Sequence, residues 1–152
     1  MTNGLTVRVA LPGDTATIAE FNAAMAWETE RKKLDLPTLT RGVEGVFANR
    51  DNGFYLVAAS GTELIGSLLI TYEWSDWRCA RFWWIQSVYV KPEFRRCGVF
   101  KKLYGFVKAK ATEQHGVCGL RLYVEQDNHN AQRCYDNIGL ETTPYKMYEQ
   151  IF

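Results

Sequence analysis

The segment from Val88 to Tyr104 constrains the fold of this chain more than any other part of its sequence. It is typical of a strand that ends before Pro92, followed by a short basic turn and a helix that begins near Gly98. The first amides of a helix lack an intrahelical acceptor and carry about half a positive charge, so they attract anions. Because Gly98 has no side chain and Arg95 and Arg96 add positive charge, this segment predicts a cradle for a phosphorylated ligand.

The strand before this turn is predicted to be central in a sheet. Both alternating faces of Phe82–Val90 are mostly apolar, which indicates a strand that is covered on both sides. Gln86 and Ser87 interrupt the pattern with two adjacent polar side chains, and buried polar groups need partners. The interruption indicates a ligand, a local break in strand pairing, or a bond from Gln86 to a neighbouring loop.

The whole chain predicts a mixed α/β fold in the order β-α-α-β-β-β-α-β-α-β. At 152 residues it is expected to form a single domain, residues 1–152. Helices are predicted from Asp14 to Lys33, from Thr38 to Phe47 after an interruption at Pro37, at 101–114 and at 128–137, and strands at 5–10, 54–60, 64–74, 81–90, 120–124 and 144–152.

Charge and cysteine content exclude several function classes. The net charge is only +1, so electrostatics favour neither nucleic acid nor an anionic membrane as a partner. The four cysteines lack Cys-x-x-Cys spacing and the chain has two histidines, so no metal site is expected. Reduced thiols, with neither a signal segment nor a long apolar run, predict a cytoplasmic protein.

Two motifs resemble the GCN5-related N-acetyltransferase (GNAT) family, and the resemblance covers essentially the whole chain. The first, Arg95-Arg96-Cys97-Gly98-Val99-Phe100, is similar to the family's pyrophosphate loop. Phe100 stands where the family has a small residue, but a cradle of main-chain groups tolerates this. The second motif follows after a predicted strand, with the family's spacing, as Asn128, Ala131, Tyr135, Gly139 and Leu140.

The resemblance implies a GNAT-like acyl-CoA N-acyltransferase fold with acetyl-CoA as cosubstrate. Main-chain groups of one strand would pair with the pantetheine arm, and one amide there would bond the thioester carbonyl. The basic turn would hold the pyrophosphate. The implied cofactor-binding residues are Val88, Tyr89, Val90, Arg95, Arg96, Cys97, Gly98, Val99, Phe100, Lys101 and Asn128.

The resemblance also implies two catalytic residues. Tyr135 would protonate the departing CoA thiolate, and Asn128 would bond the pantetheine arm. The two lie seven residues apart, two turns along one face of a predicted helix. The alternative for Tyr135 is a core aromatic of that helix.

The sequence leaves the general base open. An alkyl ammonium must lose a proton, at a cost of about 4.6 kcal/mol at neutral pH. The strand at 81–90 contains no carboxylate. The nearest candidates are Glu73 and Glu125, the latter in alternation with Tyr123 on the predicted fifth strand. Glu28 and Glu30 in the first helix are further candidates, and a water chain is an alternative to all four.

The five tryptophans suit either an acceptor pocket or the core, because tryptophan faces attract cations and aromatics dominate buried area. Core packing is favoured for Trp83 and Trp84. Trp74 and Trp77 flank a predicted turn and are better candidates for a pocket or a dimer interface.

The sequence thus predicts an N-acetyltransferase that moves an acetyl group from acetyl-CoA to a primary amine in a ternary complex. The amine would belong to a small molecule or to a lysine or peptide. Alternatives are a non-catalytic acyl-CoA-binding regulatory module and a transferase for a longer acyl group or an oxygen acceptor. A homodimer is a further expectation from the resemblance.

Overall fold

The computed structural model describes residues 4–152, with one compact unit that ends at Leu122 and a smaller one, Tyr123–Phe152. The first unit holds a five-stranded sheet in the order β1-β2-β3-β4-β5, antiparallel except for the parallel pair β4 and β5. The strands are β1 Leu5–Val9, β2 Phe54–Ser60, β3 Glu63–Ser75, β4 Ala80–Val90 and β5 Val117–Arg121. The helices are α1 Thr15–Glu30, α2 Leu36–Ala48 and α3 Val99–Glu113 in the first unit and α4 His129–Asn137 in the second.

The central strands form as their apolar patterns predict. Trp83 and Ile85 of β4 are almost completely buried, as is Leu56 of β2. β2 and β3 form the predicted hairpin, whose turn includes Gly61 with a positive φ of 61°. The mixed α/β fold class predicted from the sequence is therefore confirmed.

Helix α2 begins earlier than its sequence indicated. The Asp35 carboxylate accepts hydrogen bonds from the Thr38 amide at 3.0 Å and the Thr38 hydroxyl at 2.6 Å, so Asp35 caps the helix. Pro37 lies in the first turn. A backbone N–H there has no acceptor within the helix, so the N–H that proline lacks costs no hydrogen bond. The prediction that Pro37 interrupts the chain and that Thr38 is the cap is wrong.

Strand β5 lies three residues before its predicted position. Gly119 packs so closely against Phe82 that an added Cβ would lie 2.8 Å from a ring carbon, which explains a glycine inside a strand. Because β5 ends at Arg121, Tyr123 and Glu125 lie beyond it. The prediction that Tyr123 lies in the middle of the fifth strand, with Glu125 in alternation with it, is wrong.

The predicted terminal strand is also absent. The last helix or strand in the described residues is α4, so the observed order ends with a helix, and Pro144–Phe152 has no hydrogen-bonded secondary structure. The apolar pattern of these residues predicted a strand, and the described secondary structure does not include one there. Separately, within residues 4–152 no helix is both long enough and apolar enough to cross a bilayer.

Candidate functional site

A bulge divides β4 into two parts. Leu69 of β3 lies opposite Gln86, but Ser67 lies opposite Tyr89, so β4 contains one residue more than β3 across this interval. Ser87 takes up the difference with φ of 50°, a left-handed conformation that costs a non-glycine residue about 1–2 kcal/mol. The local break in pairing suggested by Gln86 and Ser87 is thus present.

The same part of β4 separates from β5. The register between these parallel strands runs from Arg81 opposite Val117 to Trp84 opposite Arg121 and then stops. β4 continues to Val90, so within the described chain residues 85–90 have no strand partner on the β5 side. An extended edge of this kind can pair with the amides of another extended molecule.

The open edge leads directly into the basic turn and α3. Gly98 is the N-cap of α3 with φ of 79°, and no side chain caps the helix. The first described i→i−4 bond is donated by the Lys102 amide to the Gly98 carbonyl at 3.0 Å, and the amides of Val99 and Lys101 precede it. A Cβ on Gly98 would meet nothing within 4 Å, so the space before the helix is open. The geometry suits an anion at the α3 N-terminus.

The two arginines of the turn have different surroundings. The Arg95 guanidinium donates to the Val90 carbonyl at 2.8 Å and to the Glu28 carboxylate at 2.6 Å, and it lies 5.6 Å from the ring centroid of Tyr89. These contacts join the turn to β4 and α1. Arg96 is exposed and has φ of 62°. The Arg95 guanidinium is therefore already bonded within the protein, whereas Arg96 is accessible to a ligand.

Glu73 belongs to a polar cluster on one face of the sheet. One oxygen of its carboxylate accepts the Trp84 indole N–H at 2.7 Å, and the other accepts from Arg121 at 2.8 Å. The Arg121 guanidinium also lies 3.6 Å from the ring centroid of Phe82. About 40 % of the Glu73 side chain remains exposed, so a ligand still has access to it. To accept a proton, Glu73 would have to give up part of this bonding.

The other carboxylate candidates differ from Glu73. Glu28 forms the ion pair with Arg95, and Glu30 lies 3.8 Å from the Lys32 ammonium. Glu125 is exposed. Its carbonyl accepts from the Asn128 amide at 3.0 Å and so helps to begin α4.

Asn128 and Tyr135 both belong to the smaller unit. The Asn128 side-chain oxygen accepts the Ala131 amide at 3.1 Å and caps α4, so this residue has a structural function of its own. Tyr135 is partly buried two turns later. Burial, and to a lesser extent the charge of a Cys134 thiolate, raises the pKa of Tyr135 above its ordinary value near 10. Its phenol therefore keeps its proton at physiological pH.

The tryptophans are distributed over different environments. Trp83 is in the core, as predicted, while Trp84 is only partly buried and bonds Glu73. Trp74 lines an open recess of about 260 Å³ with Asp51, Tyr72 and Arg81. Trp77 does not line it and is 88 % exposed. Trp27 lines a larger recess, about 470 Å³, with Glu20, Ala23, Lys33, Leu34 and Leu36.

Sequence reasoning missed Arg121 and Thr71. Arg121 binds Glu73 across 48 residues of sequence, and the Thr71 hydroxyl accepts from the Gln86 side chain at 2.5 Å. No local pattern marks either residue, because each acquires its partner only through strand register. The alternating polar positions Thr71 and Glu73 were the only available signal.

Comparisons with known proteins bear on this site. The family model described as "Acetyltransferase (GNAT) family" matches residues 18–140. No curated protein matches the sequence significantly.

Solved structures match over nearly the full length. A "possible acetyltransferase" from Clostridium difficile 630 is 40 % identical, with a TM-score of 0.90 and 97 % of each chain covered. A ribosomal-protein-alanine N-acetyltransferase from Brucella melitensis biovar Abortus 2308 is 18 % identical, with a TM-score of 0.78 over 97 % of this chain and 99 % of that one. A "predicted acetyltransferase with acetyl-CoA" from Clostridium acetobutylicum is 16 % identical, with a TM-score of 0.80 and 96 % of each chain covered. The last two show similarity of fold alone.

Proposed function

The chain belongs to the GNAT acetyltransferase family, and on that premise we propose that it transfers the acetyl group of acetyl-CoA to a primary amine of a small molecule, a lysine or a peptide. The family uses acetyl-CoA as cosubstrate, and the protein is an acyl-CoA-dependent acetyltransferase. The amine, the direct transfer and the residue roles below are the proposal.

One observation carries the proposal: the unpaired edge of β4 leads directly to an uncapped helix N-terminus. Acetyl-CoA has a matching shape, with an extended arm that carries amides and ends in a diphosphate. The arm would pair with Val88–Val90 as an added strand does. The diphosphate would lie at the first amides of α3, with Arg96 as the nearby cation and Arg95 as the residue that fixes the turn.

The transfer itself forms one bond and breaks another. The neutral amine nitrogen attacks the thioester carbonyl carbon, the C–S bond breaks, and the sulfur leaves as a thiolate that takes up a proton. Negative charge develops on the carbonyl oxygen during attack. A main-chain amide of β4 beyond the Ser87 bulge would donate to that oxygen, where a fixed donor stabilises the transition state most.

Tyr135 is proposed as the donor of the proton to the thiolate. Its raised pKa means that the phenol is neutral throughout the physiological range, which a proton donor requires. Asn128 is proposed to bond the arm through its side-chain amide N–H, because its side-chain oxygen already caps α4.

Glu73 is proposed to receive the proton of the amine, directly or through water. It is partly exposed and lies beside β4, whereas Glu125 lies beyond β5. Arg121 would then remain as the cation that orients the carboxylate. Glu73→Gln should lower kcat more than Glu125→Gln, and equal rates for both variants would remove Glu73 from this role.

The function is tested by release of free CoA from acetyl-CoA, measured by chromatography, with a panel of alkyl diamines, amino sugars and lysine peptides. We expect release that depends on one class of amine and an acetylated product of matching mass. Longer acyl-CoA donors and alcohols serve as comparison substrates. Preferential turnover of either would overturn the acetyl or the amine assignment.

The role of Tyr135 is tested by Tyr135→Phe. Loss of a general acid lowers a rate by about 100–10,000-fold, so kcat should fall by at least the lower figure while the KM for acetyl-CoA changes little. Tyr123→Phe, at an exposed tyrosine of the same unit, is the matched control. Unchanged kcat for Tyr135→Phe at neutral pH would show that another group protonates the thiolate.

A further inference from the structure

The Trp74 recess lies at the opposite end of β4 from the basic turn. It has a volume of about 260 Å³ and is lined by Asp51, Tyr72, Trp74 and Arg81. All four residues belong to the first unit, so the recess is built from that unit alone. Arg81 precedes Val88 by seven residues, which is about 20 Å along an extended strand. The recess is therefore separate from the edge that is proposed to bind acetyl-CoA.

The recess also lies on the other face of the sheet from Glu73. Tyr72 is paired with Trp83 and Trp74 is paired with Arg81, so these four side chains share one face of the β3–β4 hairpin. Glu73 lies between Tyr72 and Trp74 in sequence and points to the opposite face, because successive side chains of a strand alternate. A ligand in the recess is thus separated by the sheet from the proposed general base.

The aromatic wall of the recess is held in place by its neighbours. The Tyr72 ring packs with the rings of Phe54 and Trp83 at centroid distances of 6.5 and 6.2 Å. The Arg81 guanidinium lies 5.3 Å from the centroid of the Tyr72 ring. Trp74 is 60 % exposed, so much of its flat indole surface is accessible to a ligand. Aromatic walls with a few fixed polar groups are typical of small-molecule sites.

The backbone that carries Asp51 is fixed as well. Asp51 lies in the single 3₁₀ turn between α2 and β2. The Asn52 side chain donates to the Gly45 carbonyl of α2 at 3.0 Å. Gly53 lies so close to β3 that an added Cβ would collide with the carbonyl oxygen of Ile70. The fold therefore determines where the Asp51 backbone lies beside the recess.

Two opposite charges flank the recess without being paired. Both act on the Tyr72 phenol, because burial raises its pKa most, the Arg81 charge lowers it and the Asp51 charge raises it. Three other arginines form ion pairs with carboxylates, but the ion pairs within residues 4–152 include neither Asp51 nor Arg81. A gap between a carboxylate and a guanidinium suits a molecule that carries one charge of each sign.

We propose that the Trp74 recess binds a small zwitterion with a flat apolar part, such as an aromatic amino acid, at a site separate from the acyl-transfer centre. Arg81 holds the ligand carboxylate with two parallel N–H donors, for which the planar guanidinium is suited. Asp51 holds the ligand ammonium, and the flat part lies against the Trp74 indole. The inference goes beyond the proposed function and does not depend on it.

The first test is isothermal titration calorimetry on the full chain with probes that share a phenyl ring. Phenylalanine carries both charges, phenethylamine carries only the ammonium, and 3-phenylpropanoate carries only the carboxylate. In 4-(aminomethyl)benzoate the two charges lie at opposite ends of the ring, and its single-charge analogues are benzylamine and benzoate. At least one zwitterion should bind about 10-fold more tightly than both of its analogues. If neither zwitterion binds, or if neither binds more tightly than its analogues, the proposal is overturned.

Variants that remove one charge locate the ligand. Arg81→Gln should lower the affinity for the zwitterion to that for its amine analogue, and Asp51→Asn should lower it to that for its acid analogue. Arg81→Lys keeps the charge and should retain part of the affinity. Arg78→Gln and Asp76→Asn are the matched controls, because these exposed charges of the β3–β4 turn do not line the recess. Unchanged affinity in both Arg81→Gln and Asp51→Asn would rule out this site.

Two further variants distinguish the recess from the acceptor site. Trp74→Ala should weaken binding of all the probes by about 10-fold, because it removes the wall that they share. Trp77→Ala is the control, since Trp77 is 88 % exposed but does not line the recess. Glu73→Gln changes the opposite face of β3 and should leave the affinity unchanged, whether or not Glu73 is the general base. Binding that is lost in Glu73→Gln and kept in Trp74→Ala would place the zwitterion in the acceptor site and contradict the proposal.

Discussion

The first part of β4, residues 81–84, and the second part, residues 85–90, belong to one strand but have different neighbours. The first part pairs with β3 on one side and β5 on the other. The second part keeps β3 as a neighbour after the bulge at Ser87 and has no partner from β5.

One strand thus supplies stability through its first part and, in the proposed complex, a binding edge through its second part. The paired part is anchored by Trp83, which packs with Phe54 and Tyr72 at centroid distances of 5.3 and 6.2 Å. The open part is fixed instead by contacts around Tyr89, whose ring lies 5.0 Å from that of Phe21 in α1. A rigid strand can therefore leave main-chain groups unpaired, because side chains on its faces hold it in place.

The largest expected effect is on the paired part. Trp83→Ala should lower the free energy of unfolding by about 3–5 kcal/mol, because it empties a tightly packed site. The KM for acetyl-CoA, measured below the transition temperature, should change little. Trp77→Ala is the control and should change stability by less than about 0.5 kcal/mol. A large rise in KM for Trp83→Ala would show that the first part of β4 also affects acetyl-CoA binding, and would contradict the separate roles of the two parts.

An intermediate effect is expected where the open part ends. Gly98→Ala should raise the KM for acetyl-CoA about 10-fold, or about 1.4 kcal/mol, because its Cβ enters the open space before α3. The positive φ of Gly98 should also make the variant less stable. Gly105→Ala is the control, because Gly105 lies inside the same helix and a Cβ there would also meet nothing within 4 Å. This variant should instead raise the free energy of unfolding by up to about 1 kcal/mol. An unchanged KM for Gly98→Ala would mean that the phosphates lie elsewhere.

The smallest effect concerns alkaline pH. Burial, and then the charge of Glu28, raises the pKa of Tyr89 above its ordinary value. The folded state thus holds this proton more tightly than the unfolded state. The resulting stability is complete below pH about 10 and is lost as the pH rises through the folded pKa. Tyr89→Phe should make alkaline unfolding slightly less steep, as followed by denaturant titration at several pH values. Tyr145→Phe, at an exposed tyrosine, is the control and should leave the pH dependence of unfolding unchanged. A steeper pH dependence for Tyr89→Phe would contradict a raised pKa for Tyr89.

Local chemistry made much of the fold predictable. The strand, basic turn and helix around Gly98 were predictable from Pro92, the arginines and the glycine, since proline and glycine restrict or permit backbone conformations locally. The interruption at Gln86 and Ser87 indicated a break in strand pairing as one of three alternatives, and the structure has that break. The start of α2 was missed because the Asp35 cap was not recognised. β5 was misplaced because a glycine inside a strand is unexpected, and Gly119 is required there only by the ring of Phe82, which is distant in sequence.

The candidate site was less predictable than the fold. Arg95 and Arg96 are adjacent in sequence and look equivalent, yet Arg95 is bound by Val90 and Glu28. The sequence around Glu73 is typical of a solvated carboxylate, but strand register places Trp84 and Arg121 within hydrogen-bond distance of it.

By itself, the sequence determined most of the helices and strands of the first unit, the helix N-terminus whose amides can bind an anion, and the two motifs of the family. Those features arise from neighbouring residues, whose preferences act over a few bonds. Tertiary structure alone decided that β4 parts from β5 after Trp84, and which charges are already paired. Pairing depends on partners dozens of residues away, and no local preference encodes them.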